Sequence, residues 1–369
     1  MVRVLLLSAY DARSHRYWRE GVVAHLPEFD FEVHTLPARF FSWRFRGNSL
    51  TWADADFGEH DVILATSMTD LSALRGLNRR VAATPAVLYF HENQFAYPSD
   101  EPAAHLVDRQ VTSIYGALAA ERIAFNSDYN RHTFLDGARA LLKRLPDGVP
   151  KGTVDRLAAR STVLPVPLGE ECFAGAKRRS TDTFDIVWNH RWEADKGPAR
   201  LLAVVAALLG RGTPFRMHLL GGDVTRPHPE IERAAALLRE RGCLGHYGQL
   251  PQRDDYLECL RTSHVVLSTT LHEFQGLAVQ EAMALGCIPV VPNRLAYPGY
   301  VPEALRYAGS DDVALEASAA ADLIDRVARG VDVQCDLMKD VAWPVMAQRY
   351  RDLLVDAVSA RGSSQPNSL

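Results

Sequence analysis

Long apolar runs are scarce in this chain. The longest purely aliphatic stretch, Leu201 to Leu209, is nine residues, against the roughly 20 needed to cross a bilayer, so no membrane span or membrane partner is expected. The opening MVRVLLLSAYDAR is too briefly apolar for a signal peptide and puts Asp11 and Arg13 where cleavage wants small residues; it reads as a buried strand of a cytoplasmic protein. Cysteine is sparse as well. Cys172, Cys243, Cys259, Cys287 and Cys335 lie 71, 16, 28 and 48 residues apart, with no C-x-x-C and an odd total. Zinc and disulfide frameworks are disfavoured, and buried reduced thiols are expected. Nor does charge of one sign dominate: 41 Lys and Arg against 45 Asp and Glu leave a net charge of -4, so RNA or an anionic surface can be met only by a local patch. No short-period repeat occurs, and the only low-complexity tract is the tail GSSQPNSL after Arg361.

What is present is length for two domains, since 369 residues at about 150 each exceed one core. Strand-length apolar runs recur with helical spacing between them: Val4 to Leu7, Val62 to Ala65, Ala86 to Phe90, Ile123 to Phe125 and Val163 to Leu164, then Ile186 to Trp188, Met217 to Leu220, Val265 to Leu267 and Ile288 to Val291. Such runs suit strands covered on both faces, and the series reads as a doubly wound α/β fold written twice. Gly169 to Phe184 lacks periodicity and is taken as the linker, giving domains 1–168 and 169–342. The amphipathic stretch Trp343 to Val358 can pack on either. Two Rossmann-like domains facing across a cleft should bind ligands at the carboxyl ends of their strands.

After the first strand of the second domain, WNHRWEADKG carries Arg191 and Lys196 into a loop, two cations suited to a diphosphate. Further on, STTLHEFQGLAVQEAMALGCIPVVP sets Glu273, Phe274, Gln275, Gly276 and Leu277 at the start of a helix that Gly286 ends. The first amides of that helix suit a phosphate, Glu273 can accept from sugar hydroxyls, and Glu281 can bind a ribose diol. Two glutamates eight apart mean little alone; strand, loop, Gly, helix, Gly, strand around them points to a nucleotide-sugar site. A plain helix-face carboxylate remains the other reading of Glu281. In the first domain the strand ending at Phe90 runs into HENQFAYP, where His91 can hydrogen-bond a hydroxyl near the reaction centre, with Glu92, Asn93 and Gln94 beside it; a polar cap is the alternative. Ser14 and His15 are polar candidates in the first loop. Between Leu36 and Trp52, Arg39, Arg44 and Arg46 alternate with Phe40, Phe41, Trp43, Phe45 and Trp52. That composition suits single-stranded RNA and equally suits a packed hydrophobic loop with snorkelling arginines. Arg131 to Arg160, with seven basic and three acidic residues, reads as an RNA rim or a solvated helical insertion.

The second domain resembles the donor half of retaining GT-B glycosyltransferases. That resemblance implies Arg191 and Lys196 on the diphosphate, Glu273 on the sugar, Glu281 on the ribose, His91 on the donor sugar, and a last helix, 343–358, completing the first domain. A narrower likeness lies in SHRYWREG at Ser14, LPARFFSWRFRG at Leu36, ATSMTDLSALRGL at Ala65 and LYFHENQFAYP at Leu88. Through these the chain is similar to the tRNA-queuosine mannosyltransferases. The likeness implies transfer of mannose from GDP-mannose to the cyclopentenediol of queuosine at the tRNA wobble position, with retention. The glycine-bearing Y-G-G-S-H of that family is YDARSH here. No D-x-D stands in a cleft position, so no metal or other cofactor is expected. The other classes compatible with these motifs are a GT-B transferase with a different donor and a non-RNA acceptor, a nucleotide-sugar epimerase, and a catalytically silent RNA-binding protein.

Overall fold

In the computed structural model the described residues are 1–97, 103–145, 148–174, 183–212, 214–222, 225, 228–330 and 338–360. Cys335, Pro98, the tail after Arg361 and half of the expected linker fall outside them. The chain divides into two compact units, Met1–Pro167 with Trp343–Leu369, and Leu168–Ala342.

The first unit is a six-stranded sheet of β1 (Val2–Ser8), β2 (Phe29–Thr35), β3 (Val62–Thr66), β4 (Ala86–Phe90), β5 (Arg122–Phe125) and β6 (Ser161–Val163). Its order is β2-β1-β3-β4-β5-β6 and every pairing is parallel. The crossovers contain α1 (Arg13–His25), α2 (Phe41–Thr51), α3 (Leu71–Leu77), α4 (Ala103–Leu118), α5 (Asp128–Arg144) and α6 (Thr153–Ala159). Inner strands such as VILAT in β3 and AVLYF in β4 are buried along their whole length, as two helical layers require. Asp70 and Ser127 cap α3 and α5 through their side-chain oxygens, satisfying amides that the helices leave unpaired.

The second unit repeats the plan with β7 (Asp185–Asn189), α7 (Pro198–Arg211), β8 (Arg216–Leu220), α8 (Pro229–Glu240), β9 (Leu244–Gly248), α9 (Arg253–Thr262), β10 (Val265–Leu267), α10 (Leu277–Ala284), β11 (Ile288–Pro292), β12 (Arg306–Tyr307) and α11 (Val313–Ala328). Its strand order is β12-β11-β10-β7-β8-β9, again all parallel. The winding direction reverses between β7 and β10 here and between β1 and β3 in the first unit. Loops leaving those strand pairs are where an open α/β sheet presents its ligand site.

The last helix, α12 (Trp343–Ala360), belongs to the first unit. Trp343 lies over Gly21, where a Cβ would come within 2.3 Å of the indole, and stacks on His25 at 4.6 Å. The Tyr350 hydroxyl accepts from Trp18 Nε1 at 3.0 Å, donates to the Pro165 carbonyl at 3.0 Å and lies 3.2 Å from the Tyr89 hydroxyl.

Three sequence expectations are corrected. The linker does not begin as one, because Glu170–Cys172 is a turn of 3-10 helix with Cys172 fully buried in the second core. The basic stretch 131–160 is no insertion: α5 and α6 form the crossover from β5 to β6, and Arg131, Arg156 and Arg160 bond to oxygens within their own unit. The aromatic and arginine-rich segment, one of whose two readings is a packed loop, is a helix, α2, from Phe41 to Thr51, with Arg39 and Phe40 in the loop before it.

Candidate active site

At the end of β7 the chain passes His190 and Arg191 into a short turn, Ala194–Lys196, closed by Gly197 at φ 68°. A Cβ on residue 197 would sit 2.1 Å from the Thr269 carbonyl oxygen, so only glycine lets this turn touch the loop after β10. Thr269 fixes the contact: its hydroxyl accepts from Trp188 Nε1 at 3.0 Å and donates to the Lys196 carbonyl at 2.9 Å.

Lys196 is thereby carried inward. Its Nζ lies 3.1 Å from Glu273 Oε2 and 3.2 Å from Asp195 Oδ2 and donates to the His272 carbonyl at 3.0 Å. Burial raises the Glu273 carboxyl, but the Lys196 ammonium outweighs it and brings the group down to about 2. Burial lowers the Lys196 ammonium, while Glu273 and Asp195 more than reverse that. Arg191 is exposed, 2.8 Å from Glu193 and 3.9 Å from Asp195. Both cations of the loop thus approach one carboxylate, Asp195, and an incoming anion has to compete with it.

Glu273 precedes α10 and Glu281 lies on its second turn; at the start of the helix Gly276 takes φ 86° and no side chain caps it. Phe274 and Gln275 are buried, the latter donating to Gln280 Oε1 at 2.9 Å, and Leu277 packs against the core. Both Glu281 oxygens are occupied: Arg253 Nη2 donates at 2.6 Å and the Tyr256 hydroxyl at 3.1 Å, with Asn189 Nδ2 donating to that hydroxyl at 2.9 Å. The buried Tyr300 hydroxyl has no partner and lies where a Cβ on residue 276 would be 2.5 Å away.

In the first unit His91 follows β4 and is buried, stacked on His15 at 4.2 Å and edge-on to Trp18 at 5.0 Å. Burial, and secondarily His15, push its imidazole well below the usual range, and its Nε2 has no partner. His15 Nε2 lies 3.4 Å from Glu92 Oε2. Ser14 is exposed in the first turn of α1. Asn93 holds the loop together: its Nδ2 donates to Asn130 and Thr133 and its Oδ1 accepts from the Phe95 and Ala96 amides. Gln94 is buried and its carbonyl accepts from Gln110 Nε2, which likewise sets it inside the fold. Arg44 is buried on the inner side of α2. Arg39 is exposed, and Arg46 is half-exposed, donating to Thr112 Oγ1 and lying 3.6 Å from Asp108.

Sequence reasoning missed His190, Asp195, Asn189, Arg253, Tyr256 and Tyr300. The strand-end rule that selected Arg191 applies equally to His190, the first residue past β7. Burial, followed by the Lys196 charge, pushes His190 down to about 3, and its Nε2 has no partner. A pH dependence follows. Unfolded imidazoles titrate near 6.5, so below that pH the unfolded chain binds protons that His91 and His190 refuse in the folded state. Stability is complete above about pH 6.5 and falls on acidification, with the His190 share lost down to about 3. Thermal midpoints measured from pH 8 to pH 4 are expected to fall, and His190→Gln is expected to flatten the profile; an unchanged profile removes His190 as a cause.

Among the described residues no group of three or more His, Cys, Asp or Glu is placed to hold a metal ion, and no helix is long and apolar enough to cross a membrane. Two units, each built on a six-stranded parallel sheet, have the fold of GT-B glycosyltransferases. The family model described as glycosyl transferases group 1 matches residues 174–329, and the model for the tRNA-queuosine alpha-mannosyltransferase N-terminal region matches residues 3–168. The chain belongs to the tRNA-queuosine alpha-mannosyltransferase family and is a hexosyltransferase: it is 32% identical over 311 residues to the Drosophila melanogaster protein of that name, covering 81% of this chain and 82% of that one. It is also 24% identical over 183 residues, 46% of each chain, to GDP-mannose:cellobiosyl-diphosphopolyprenol alpha-mannosyltransferase of Xanthomonas oryzae pv. oryzae. Among solved structures it resembles the lipopolysaccharide outer core galactosyltransferase WaaB in its apo form, at TM-score 0.63 and 12% identity over 96% of this chain and 99% of that one. The OtsA apo structure gives TM-score 0.64 and 14% identity over 98% and 96%. At such identities these two speak for the fold.

Proposed function

We propose that the protein transfers mannose from GDP-mannose to the cyclopentenediol of queuosine in a tRNA anticodon, with retention, in the cytoplasm. The observation that carries this reading is the buried Lys196–Glu273 pair at the β7/β10 switch point, in a chain 32% identical to a tRNA-queuosine alpha-mannosyltransferase. The guanine preference is supported by the GDP-mannose-dependent relative in Xanthomonas. Arg191 and Lys196 take the diphosphate, Glu273 the sugar hydroxyls and Glu281 the ribose. Because Arg253 and Tyr256 already hold both Glu281 oxygens, the diol has to bind through the lone pairs that remain.

Retention fits attack from the leaving-group face. The acceptor hydroxyl oxygen bonds to the anomeric carbon as the bond from that carbon to the diphosphate oxygen breaks, and the departing diphosphate takes the hydroxyl proton. Arg191, Lys196 and the first amides of α10 offset the charge gained by the leaving group, so the reaction is expected to proceed with a chelator present. His91, neutral at pH 7, offers Nε2 as a hydrogen-bonding group rather than a charge. The test is mass spectrometry of nucleosides from queuosine-containing tRNA incubated with the protein and a panel of nucleotide sugars. Queuosine is expected to gain one hexose from GDP-mannose. Gain from a UDP-hexose alone rejects the donor, and no gain from any donor rejects the reaction.

A further inference from the structure

Helix α2 carries two apolar stripes where one would suffice to anchor it. Phe41, Phe45, Asn48 and Trp52 recur at helical spacing and turn inward, Phe45 and Trp52 being buried in the core. Phe40, Trp43, Gly47 and Leu50 form a second stripe, and there Phe40 is 72%, Trp43 59% and Leu50 64% exposed. Gly47 makes room for the tryptophan: a Cβ at that position would lie 2.5 to 2.9 Å from three atoms of the indole. The ring therefore rests across the missing side chain and keeps solvent on its outer side. Phe40, immediately before the helix, is held at φ 53°, a left-handed conformation uncommon for a bulky residue and met where surrounding structure imposes it. The Arg39 guanidinium lies 5.7 Å from its ring centroid, and Arg46, one turn beyond Trp43, is half-exposed.

We propose that Phe40 and Trp43 are stacking surfaces for unpaired bases of the RNA acceptor, with Arg39 and Arg46 meeting the adjoining phosphates. This rests on the tRNA reading above and narrows it to two rings and two cations. The partner follows from charge. Leu36 to Trp52 holds no Asp or Glu; with Arg44 buried, its outward cations are Arg39 and Arg46, the latter 3.6 Å from Asp108 and 4.0 Å from Asp70, so a phosphate meets Arg39 directly and Arg46 in competition with those carboxylates. Bases stack on any exposed aromatic face, and guanidinium groups pair with phosphate or stack beside it.

The test is binding of queuosine-containing tRNA by wild type, Trp43→Ala, Trp43→Phe, Gly47→Ala, Arg39→Ala and Arg46→Ala across a salt series, with melting temperature checked for each. Loss of one stacked base typically lowers affinity roughly 5- to 150-fold, and Trp43→Ala is expected in that range with the log-log salt slope unchanged, because a neutral ring releases no counterions. Trp43→Phe should recover part of the loss. Gly47→Ala should weaken binding although it removes no group that touches RNA. Each arginine variant should flatten the slope by about 0.7 instead. Wild-type affinity in Trp43→Ala overturns the proposal, as does a Trp43→Ala effect confined to self-association in sedimentation, which makes the stripe an interface between copies. If the wild-type protein neither binds nor modifies any tRNA, the acceptor reading itself falls and this proposal with it.

Discussion

Lys196→Ala is expected to lower turnover roughly 100-fold or more, the usual loss when a preorganised donor to a developing anion is removed. The ammonium is held in place by Glu273, Asp195 and the His272 carbonyl, so on the proposed reading it has only to exchange Asp195 for the diphosphate, without moving, to meet the charge that builds on the leaving group. The same variant leaves the Glu273 carboxyl buried without its counter-charge, which for a broken buried pair costs about 3–5 kcal/mol of stability. The two effects separate by pH and by a second variant. In Lys196→Ala the Glu273 carboxyl is no longer held at about 2, so its protonation shifts to higher pH and relieves the stability loss on mild acidification, while the rate stays low. In Lys196→Ala combined with Glu273→Gln the unpaired carboxylate is gone at every pH, and the rate should still be low. Rates of single-turnover transfer, corrected for the folded fraction, decide the matter: near-normal transfer by the folded double variant removes Lys196 from the reaction.

The second large effect concerns stability. Trp343→Ala empties the space over Gly21 and strips the stacking partner from His25, and truncating a buried tryptophan typically costs about 3–5 kcal/mol. For units of this size that is a fall in melting temperature on the order of 10 °C. Gly21→Ala attacks the same contact from the other side, since its new Cβ lands 2.3 Å from the indole unless the helices separate. Both variants are expected to melt early, and the pair together should lose less than the sum of the two, because removing the ring also removes the clash. A Trp343→Ala midpoint within a degree of wild type contradicts the packing described for α12.

Which parts of this fold were legible follows from burial. All inner strands were found as apolar runs because helices cover both their faces. Three strands were missed, β2, β9 and β12, and each stands at a sheet edge. In β2 the sequence FDFEVHT mixes acidic and apolar residues, since an edge strand has less to bury. The placement of Arg191, Lys196 and Glu273 on loops directly after β7 and β10 was legible because those strands were, whereas Arg253 and Tyr256 come from α9 and Tyr300 from the segment after β11, brought to the same loops only by tertiary packing. The arginines of α2 show the limit of composition: Arg44 and Arg46 are two residues apart, and on a helix that separation puts one on the inner face and the other on the outer.

The order in which the ribosome delivers the chain acquires meaning from α12. Trp18 and Tyr89 emerge early, yet the hydroxyl that ties them, from Tyr350, is 332 and 261 residues further on. A nascent chain that has grown as far as residue 342 holds every residue of the second unit, while the first still presents the bare ring faces around Gly21. The unit begun first is therefore completed last, by a closure of high contact order that is intrinsically slow. During that interval an aromatic surface is uncovered, and agents that bind such surfaces in nascent chains are expected to dwell on the amino-terminal half of this protein until α12 has emerged and docked.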